Sequence, residues 1–240
     1  MGDGKRLRVR EPIAALNRIR LCRSGEPLVD LRRACPGMRI GRKCVPFLRA
    51  TVAEMLNRAR TYLPAGHDLW ARTALRSLQM QRDGYEGYSQ QLQKDHPDWS
   101  YATLRRAANR FFAPPDQKAP PGHCTGGAVD VWLLAPTRGG RLKPADLTSP
   151  FKFPPRGDRH WQAVGTWAEG LALLARQNRM ILYEAMTRAG FSNCEEEFWH
   201  YSYGDAAWAV RVGATYCVYG VAVAPAPWRK RHPEQGWSEG

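Results

Sequence analysis

The sequence predicts an α+β fold, a small, mainly antiparallel sheet with helices packed against it. Three observations carry that expectation. Residues 45–63 repeat their apolar positions at three- and four-residue steps, as an amphipathic helix does. Residues 128–134 form an unbroken apolar run of strand length, and short pieces rich in Tyr, Trp and Val follow near the C-terminus. Of the 240 residues, 43% are hydrophobic and nine are Trp, which supports a sizeable core and argues against disorder.

Residues 1–43 alternate Arg with short apolar groups, and Pro12, Pro27 and Pro36 interrupt any long helix. They read as a basic arm packed on the body, with residues 26–31 the most strand-like piece. The body spans 44–225. Pro64 and Gly66 end its first helix, and 68–75 reads as a strand. Residues 78–94 are helical in composition, with a break expected at Gly84 and Gly87. Asp98 is placed to cap a further helix from 99 to about 112. The proline-rich 113–121 reads as an extended linker, and 136–158, rich in Gly, Pro and charge, as a loop. Helical periodicity covers 161–189, as two helices meeting near 175–178, with Gly190 the C-cap. Residues 197–203, 207–212 and 215–223 are expected strands. The basic tail, 226–240, is expected to be loose.

The formal net charge is +14, and eight of those charges arise within residues 1–43. No helix-turn-helix, finger or RNP-like pattern accompanies them, so a solvated basic face is the plainer meaning and no nucleic-acid partner is expected. Long-range attraction of an anionic substrate is another. No run approaches the roughly 18 apolar residues of a membrane span. The basic N-terminus lacks a following apolar stretch, so a cytoplasmic location is expected. The six cysteines, at 22, 35, 44, 124, 194 and 217, contain no C-x-x-C pair and read as free thiols. Oligomeric state is not legible.

The chemistry concentrates in two stretches. Pro121-Gly-His-Cys-Thr-Gly-Gly-Ala-Val-Asp130 holds an imidazole, His123, and a carboxylate, Asp130. In a flat strand, side chains seven positions apart face opposite ways, so convergence needs a kink, which Gly126 and Gly127 permit. About 70 residues later, Glu195-Glu-Glu-Phe-Trp-His200 offers a second imidazole and a choice of carboxylates. Two His, one Asp, an open fourth position and a nearby Glu have the makeup of a catalytic zinc centre. The three-residue step from Glu197 to His200 puts both on one face of a helix, whereas a strand would need a turn between them. Taken alone, that pair also fits a surface carboxylate and a core histidine. Glu195 and Glu196 remain alternative bases, and Cys124 and Cys194 lie close enough in sequence to be considered as ligands.

The chain resembles the VanX-type D-alanyl-D-alanine dipeptidases, zinc peptidases of a fold group that includes D-Ala-D-Ala carboxypeptidases and the hedgehog signalling domain. His123-Cys-Thr-Gly-Gly-Ala-Val-Asp130 is similar to the family's first metal motif, and Glu197-Phe-Trp-His200 to its Glu-Trp-Trp-His motif. Residues 178–191 resemble the helix before that motif, and Tyr201-Ser-Tyr-Gly-Asp205 its continuation. The resemblance implies one Zn²⁺ per chain held by His123, Asp130 and His200, with Glu197 as general base and then acid. The family's Tyr-Arg-Pro segment is best matched by Leu75-Arg76-Ser77, which implies Arg76 as the group steadying the tetrahedral intermediate. The other register, Asp83-Gly-Tyr-Glu86, would put a carboxylate where positive charge is needed. Pro121 and Lys152 stand where the family often has Ser and an Asp that holds the substrate's amino group. The implied activity is hydrolysis of a small peptide such as D-Ala-D-Ala. A carboxypeptidase or amidase acting on larger peptidoglycan peptides, and a zinc-stabilised binding domain, are the alternatives.

Overall fold

The structure is a computed structural model that describes residues 11–22, 24–114, 116–153 and 163–237. The arm's first ten residues and the expected helix start at 161 lie outside them. The helices are α1 (Ile13–Leu16), α2 (Leu31–Ala34), α3 (Ala50–Thr61), α4 (Leu78–Asp95), α5 (Tyr101–Ala108), α6 (Gly122–Thr125), α7 (Leu173–Arg188), α8 (Ala206–Val212) and α9 (Ala226–Arg231). The strands are β1 (Arg20–Leu21), β2 (Leu28–Asp30), β3 (Arg39–Ile40), β4 (Phe47–Arg49), β5 (Asp68–Thr73), β6 (Ala128–Pro136), β7 (Leu142–Pro144), β8 (Ser192–Asn193), β9 (His200–Ser202) and β10 (Tyr216–Cys217).

The apolar run at 128–134 becomes β6, buried along its first seven residues because strands flank it and layers cover both faces. The sheet order is β3-β5-β6-β9-β8, with β7 beside the far end of β6. Leu69, Val129, Val131 and Leu133 meet Leu56 of α3 and Leu182 of α7 in the main core. Burying such a side chain contributes about 1.5–3 kcal/mol. Among the described residues, no helix is long and apolar enough to cross a membrane.

The α+β expectation stands, but the mainly antiparallel sheet is corrected to a mixed one. β3 runs parallel to β5, because α3 lies in the connection and returns the chain to the same end of the sheet. A second parallel pair, β1 with β10, lies outside the main sheet.

Other local expectations change for identifiable reasons. Residues 45–49 are not helical: Val45 bridges Leu75, and β4 pairs with β2. α4 runs unbroken through Gly84 and Gly87. A Cβ at Gly84 would stand 2.8 Å from the Phe112 ring, so this glycine lets the residues after α5 pack close. Ser100, not Asp98, caps α5. α7 is a single helix across 175–178, where Ala175 and Asn178 are buried against the body. The expected strand at 207–212 is α8: the Asp205 carboxylate accepts from Trp208 N at its start and Gly213 ends it in the left-handed region. Only two residues of 215–223 are strand. The tail is not loose through residue 237. α9 sets the Trp228 ring edge-on to Phe47 at 5.3 Å, and the Ser77 hydroxyl donates to the Gln235 carbonyl.

Candidate metal centre

The two glycines after His123 do separate jobs. α6 is a single turn carrying His123, and Gly126, at φ +72°, ends it in the left-handed conformation that turns the chain into β6. Gly127 then passes so close to Tyr203 that a Cβ would stand 2.6 Å from its carbonyl oxygen. Backbone cannot yield there, so Gly127→Ala is expected to destabilise the protein by about 1–3 kcal/mol. That corresponds to a fall of about 2–4 °C in Tm per kcal/mol, readable by calorimetry.

Asp130 on β6 lies directly opposite His200 on β9, and opposed residues of an antiparallel pair share a face. The result brings three donor atoms together. His123 Nε2 is 3.2 Å from Asp130 Oδ1 and 3.2 Å from His200 Nδ1, and His200 Nδ1 is 3.0 Å from Asp130 Oδ1. Ligands at zinc bond lengths in a tetrahedron are about 3.3 Å apart, so this set fits that ion.

The tautomer supports the same fit. His123 Nδ1 is 2.8 Å from the Ala74 carbonyl, which can only accept. Nδ1 therefore carries the proton, and in the neutral ring Nε2 presents a lone pair to a carboxylate oxygen. Two electron-rich atoms facing each other is an arrangement that a cation between them relieves. Burial holds His123 below its ordinary pKa, the neutral state a metal ligand needs. Burial alone would raise Asp130, but His123 and His200 outweigh it and hold the carboxyl well below the usual range. Burial likewise opposes protonation of His200, yet its hydrogen bond to Asp130 and that residue's charge raise its pKa.

Arg76 lies at the edge of the cluster, and Glu197 is buried where the charges of His200, Asp130 and Arg76 act on it. Arg76 Nη2 is 3.6 Å from Asp130 Oδ2, its backbone N–H donates to the His123 carbonyl, and its Nη1 donates to Gln81 Oε1 at 3.2 Å. The other register lies elsewhere: the Tyr85 hydroxyl donates to Asn109, and Glu86 is exposed on α4. Glu197 and His200 sit on a turn, with His200 N–H donating to the Glu197 carbonyl at 3.0 Å. Burial pushes the Glu197 carboxyl up to about 8, with His200 and Arg76 pulling down and Asp130 adding to the rise. Glu196 is exposed. Neither cysteine joins the three-residue group, and Cys124 Sγ donates instead to the Ser77 carbonyl at 3.7 Å.

Three supports were not read from the sequence. The Ala74 carbonyl leaves no side-chain signal at all. Gln81 is one helical turn past the cap of α4, so its reach to Arg76 needed the helix start to be placed. Arg179 is fully buried and makes no ion pair among the described residues, although the charge of Asp146 acts on it. It donates to the carbonyls of Leu147, Ala163 and Gly165 and lies 4.2 Å from the Phe198 ring. Burial pushes its guanidinium down to about 10. Neighbours of those carbonyls hold the turn that carries Glu197: Thr166 N–H donates to Glu195 O, and Phe198 N–H to Val164 O.

No curated protein matches the chain significantly. A solved mutant of the vancomycin resistance D,D-pentapeptidase VanY, from a VanB-type resistance cassette and in complex with Zn(II), is similar at 16% identity and a TM-score of 0.39. The match covers 70% of this chain and 80% of that one. The Peptidase_M15 family model, described as D-ala-D-ala dipeptidase, matches residues 50–219. The zinc chemistry of that family suits the His-Asp-His cluster, and the chain belongs to it.

Proposed function

We propose that this zinc peptidase hydrolyses a dipeptide of the D-Ala-D-Ala kind, with His123, Asp130 and His200 as its metal ligands. The observation that carries the reading is the convergence of three donor atoms within 3.2 Å, with the Arg76 guanidinium at their edge. When bound, Zn²⁺ supplies a Lewis acid that polarises a carbonyl and makes water more acidic. Glu197 takes the proton of the attacking water and returns it to the leaving amine. Burial makes this carboxylate a stronger base than a free one, which suits it to take up the proton. Arg76 faces the oxygen on which negative charge grows. Asp130, on the central strand, brings its oxygen to the point where the two imidazole nitrogens converge. Lys152, exposed on the segment that reaches Phe153, cannot hold a substrate ammonium group, so the amino end is recognised differently from the family pattern.

Chelation is expected to abolish cleavage and zinc to restore it. Loading with zinc at pH 7 should also release protons. Glu197, raised to about 8, holds a proton in the metal-free protein that a divalent cation beside it displaces. Calorimetry in two buffers of different ionisation enthalpy measures that release, and Glu197→Gln should reduce it. The substrate test is a screen of L- and D-dipeptides beside longer peptidoglycan peptides. Better cleavage of the long peptides would move the assignment to a carboxypeptidase. Absence of cleavage by the zinc-loaded protein would falsify the peptidase reading.

A further inference from the structure

We propose that Arg72 forms a carboxylate-binding subsite beside the metal centre and selects peptides carrying an acid group close to the scissile bond. The inference rests on the peptidase reading and names its substrate class.

The placement comes from the sheet. β5 and β6 pair Ala71 with Val131 and then Thr73 with Asp130, so Arg72 is the extra residue of a bulge opposite Asp130. Bulges next to a site re-aim side chains, and this one turns a cation onto the face that carries Asp130 and His200. Trp70 opposes Trp132 on the same face. The Arg72 guanidinium carbon lies 4.8 Å from the Trp70 ring, 5.1 Å from Trp132 and 5.8 Å from Phe153. The Phe153 ring in turn lies 5.4 Å from Trp199, the residue before His200.

Arg72 differs from its neighbours in what it lacks. Arg76 is engaged with Asp130 and Gln81, and Arg179 with three carbonyls. Arg72 is exposed, and among the described residues no acceptor takes its N–H donors. Aromatic rings hold the guanidinium in place while, among the described residues, its planar edge stays free, which suits bidentate pairing with a carboxylate. Trp132 is two residues from Asp130 on β6, roughly 7 Å along the strand. An extended peptide advances about 3.3 Å per residue, so an acid group one or two residues beyond the scissile bond reaches this cation.

The acid group has two sources, the C-terminal carboxylate or an acidic side chain. The test uses zinc-loaded Glu197→Gln protein, with and without Arg72→Met, and calorimetric titration with three ligands: D-Ala-D-Ala, its C-terminal amide, and the amide of D-Ala-D-Glu. With Arg72 present, an acid-bearing ligand is expected to bind about 10- to 100-fold more tightly than D-Ala-D-Ala amide. Arg72→Met should bring that ratio to within about twofold, with zinc content unchanged. Preference for free D-Ala-D-Ala assigns the subsite to the terminal carboxylate, and preference for the D-Ala-D-Glu amide assigns it to a side chain. A ratio unchanged by Arg72→Met, or no binding of either acid-bearing ligand, overturns the subsite. Cleavage is scored separately in protein with Glu197 intact. Discrimination by Arg72 without cleavage would count against the peptidase reading and not against the subsite.

Discussion

Replacing Glu197 by Gln is expected to lower turnover of the best dipeptide about 10²- to 10⁴-fold, with KM and zinc content within about twofold of the parent. The amide keeps the size and part of the hydrogen bonding of the carboxylate but cannot shuttle a proton. The site prepares this residue electrostatically. Burial raises it, while the charges of His200, Asp130 and Arg76 all act on it. The competing acids are less well placed: Glu196 is exposed, and the charges that act on His200 include that of Glu197 and not that of Glu195. Glu195→Gln should therefore leave turnover within about threefold. Steady-state kinetics on zinc-quantified protein decides, and an active Glu197→Gln enzyme would remove Glu197 from proton transfer.

How much of this was legible depended on the physical range of each signal. The apolar period of α3 and the run that became β6 are dense local patterns, and both elements formed. The glycine pair after His123 announced a kink, and the kink is there at Gly126. The Glu197–His200 step stayed ambiguous between helix and strand because its geometry is a turn braced from outside, by Arg179 and by Asn193, whose side chain donates to the carbonyls of both Glu197 and His200. The misread pieces share a cause. Residues 207–212 have β-prone composition, but the decisive features were one capping carboxylate and one terminal glycine. Gly84 looked like a helix breaker, whereas its role is contact with Phe112, about 30 residues away. The tail looked polar and loose because its anchors, Trp228 and the Gln235 backbone among them, meet partners far off in sequence, Phe47 and Ser77.

The brace has a consequence for the division of labour in the site. His123 is fixed from the β5 side through the Ala74 carbonyl, while Glu197 and His200 are fixed from the α7 side through Arg179 and Asn193. Asp130, on the central strand, joins the two halves. Side chains supported from separate elements keep their spacing only while the sheet register holds, which is why the donor atoms lie on rigid strands and a one-turn helix and not on long loops.

Arg76→Met is expected to lower kcat by about 10²- to 10³-fold, the loss typical when one donor to a developing oxyanion is removed. Two roles for Arg76 make opposite predictions about the metal. If its contact with Asp130 at 3.6 Å were mainly structural, its loss would loosen the carboxylate and weaken zinc binding. If it acts on the transition state, its loss removes a positive charge beside a site for a divalent cation. Zinc would then bind at least as tightly while turnover falls. The geometry favours the second role. Gln81, itself tied to the Ala113 carbonyl, holds the other terminal nitrogen of the guanidinium, and Asp130 lies beside both imidazoles without help from Arg76. Arg76→Lys should recover part of the lost turnover, because a point charge replaces the fork without its planar geometry. Zinc titration against a competing chelator, run beside the kinetics, separates the outcomes: weaker zinc binding in proportion to the lost activity would make Arg76 a support of the centre and not a participant in the reaction.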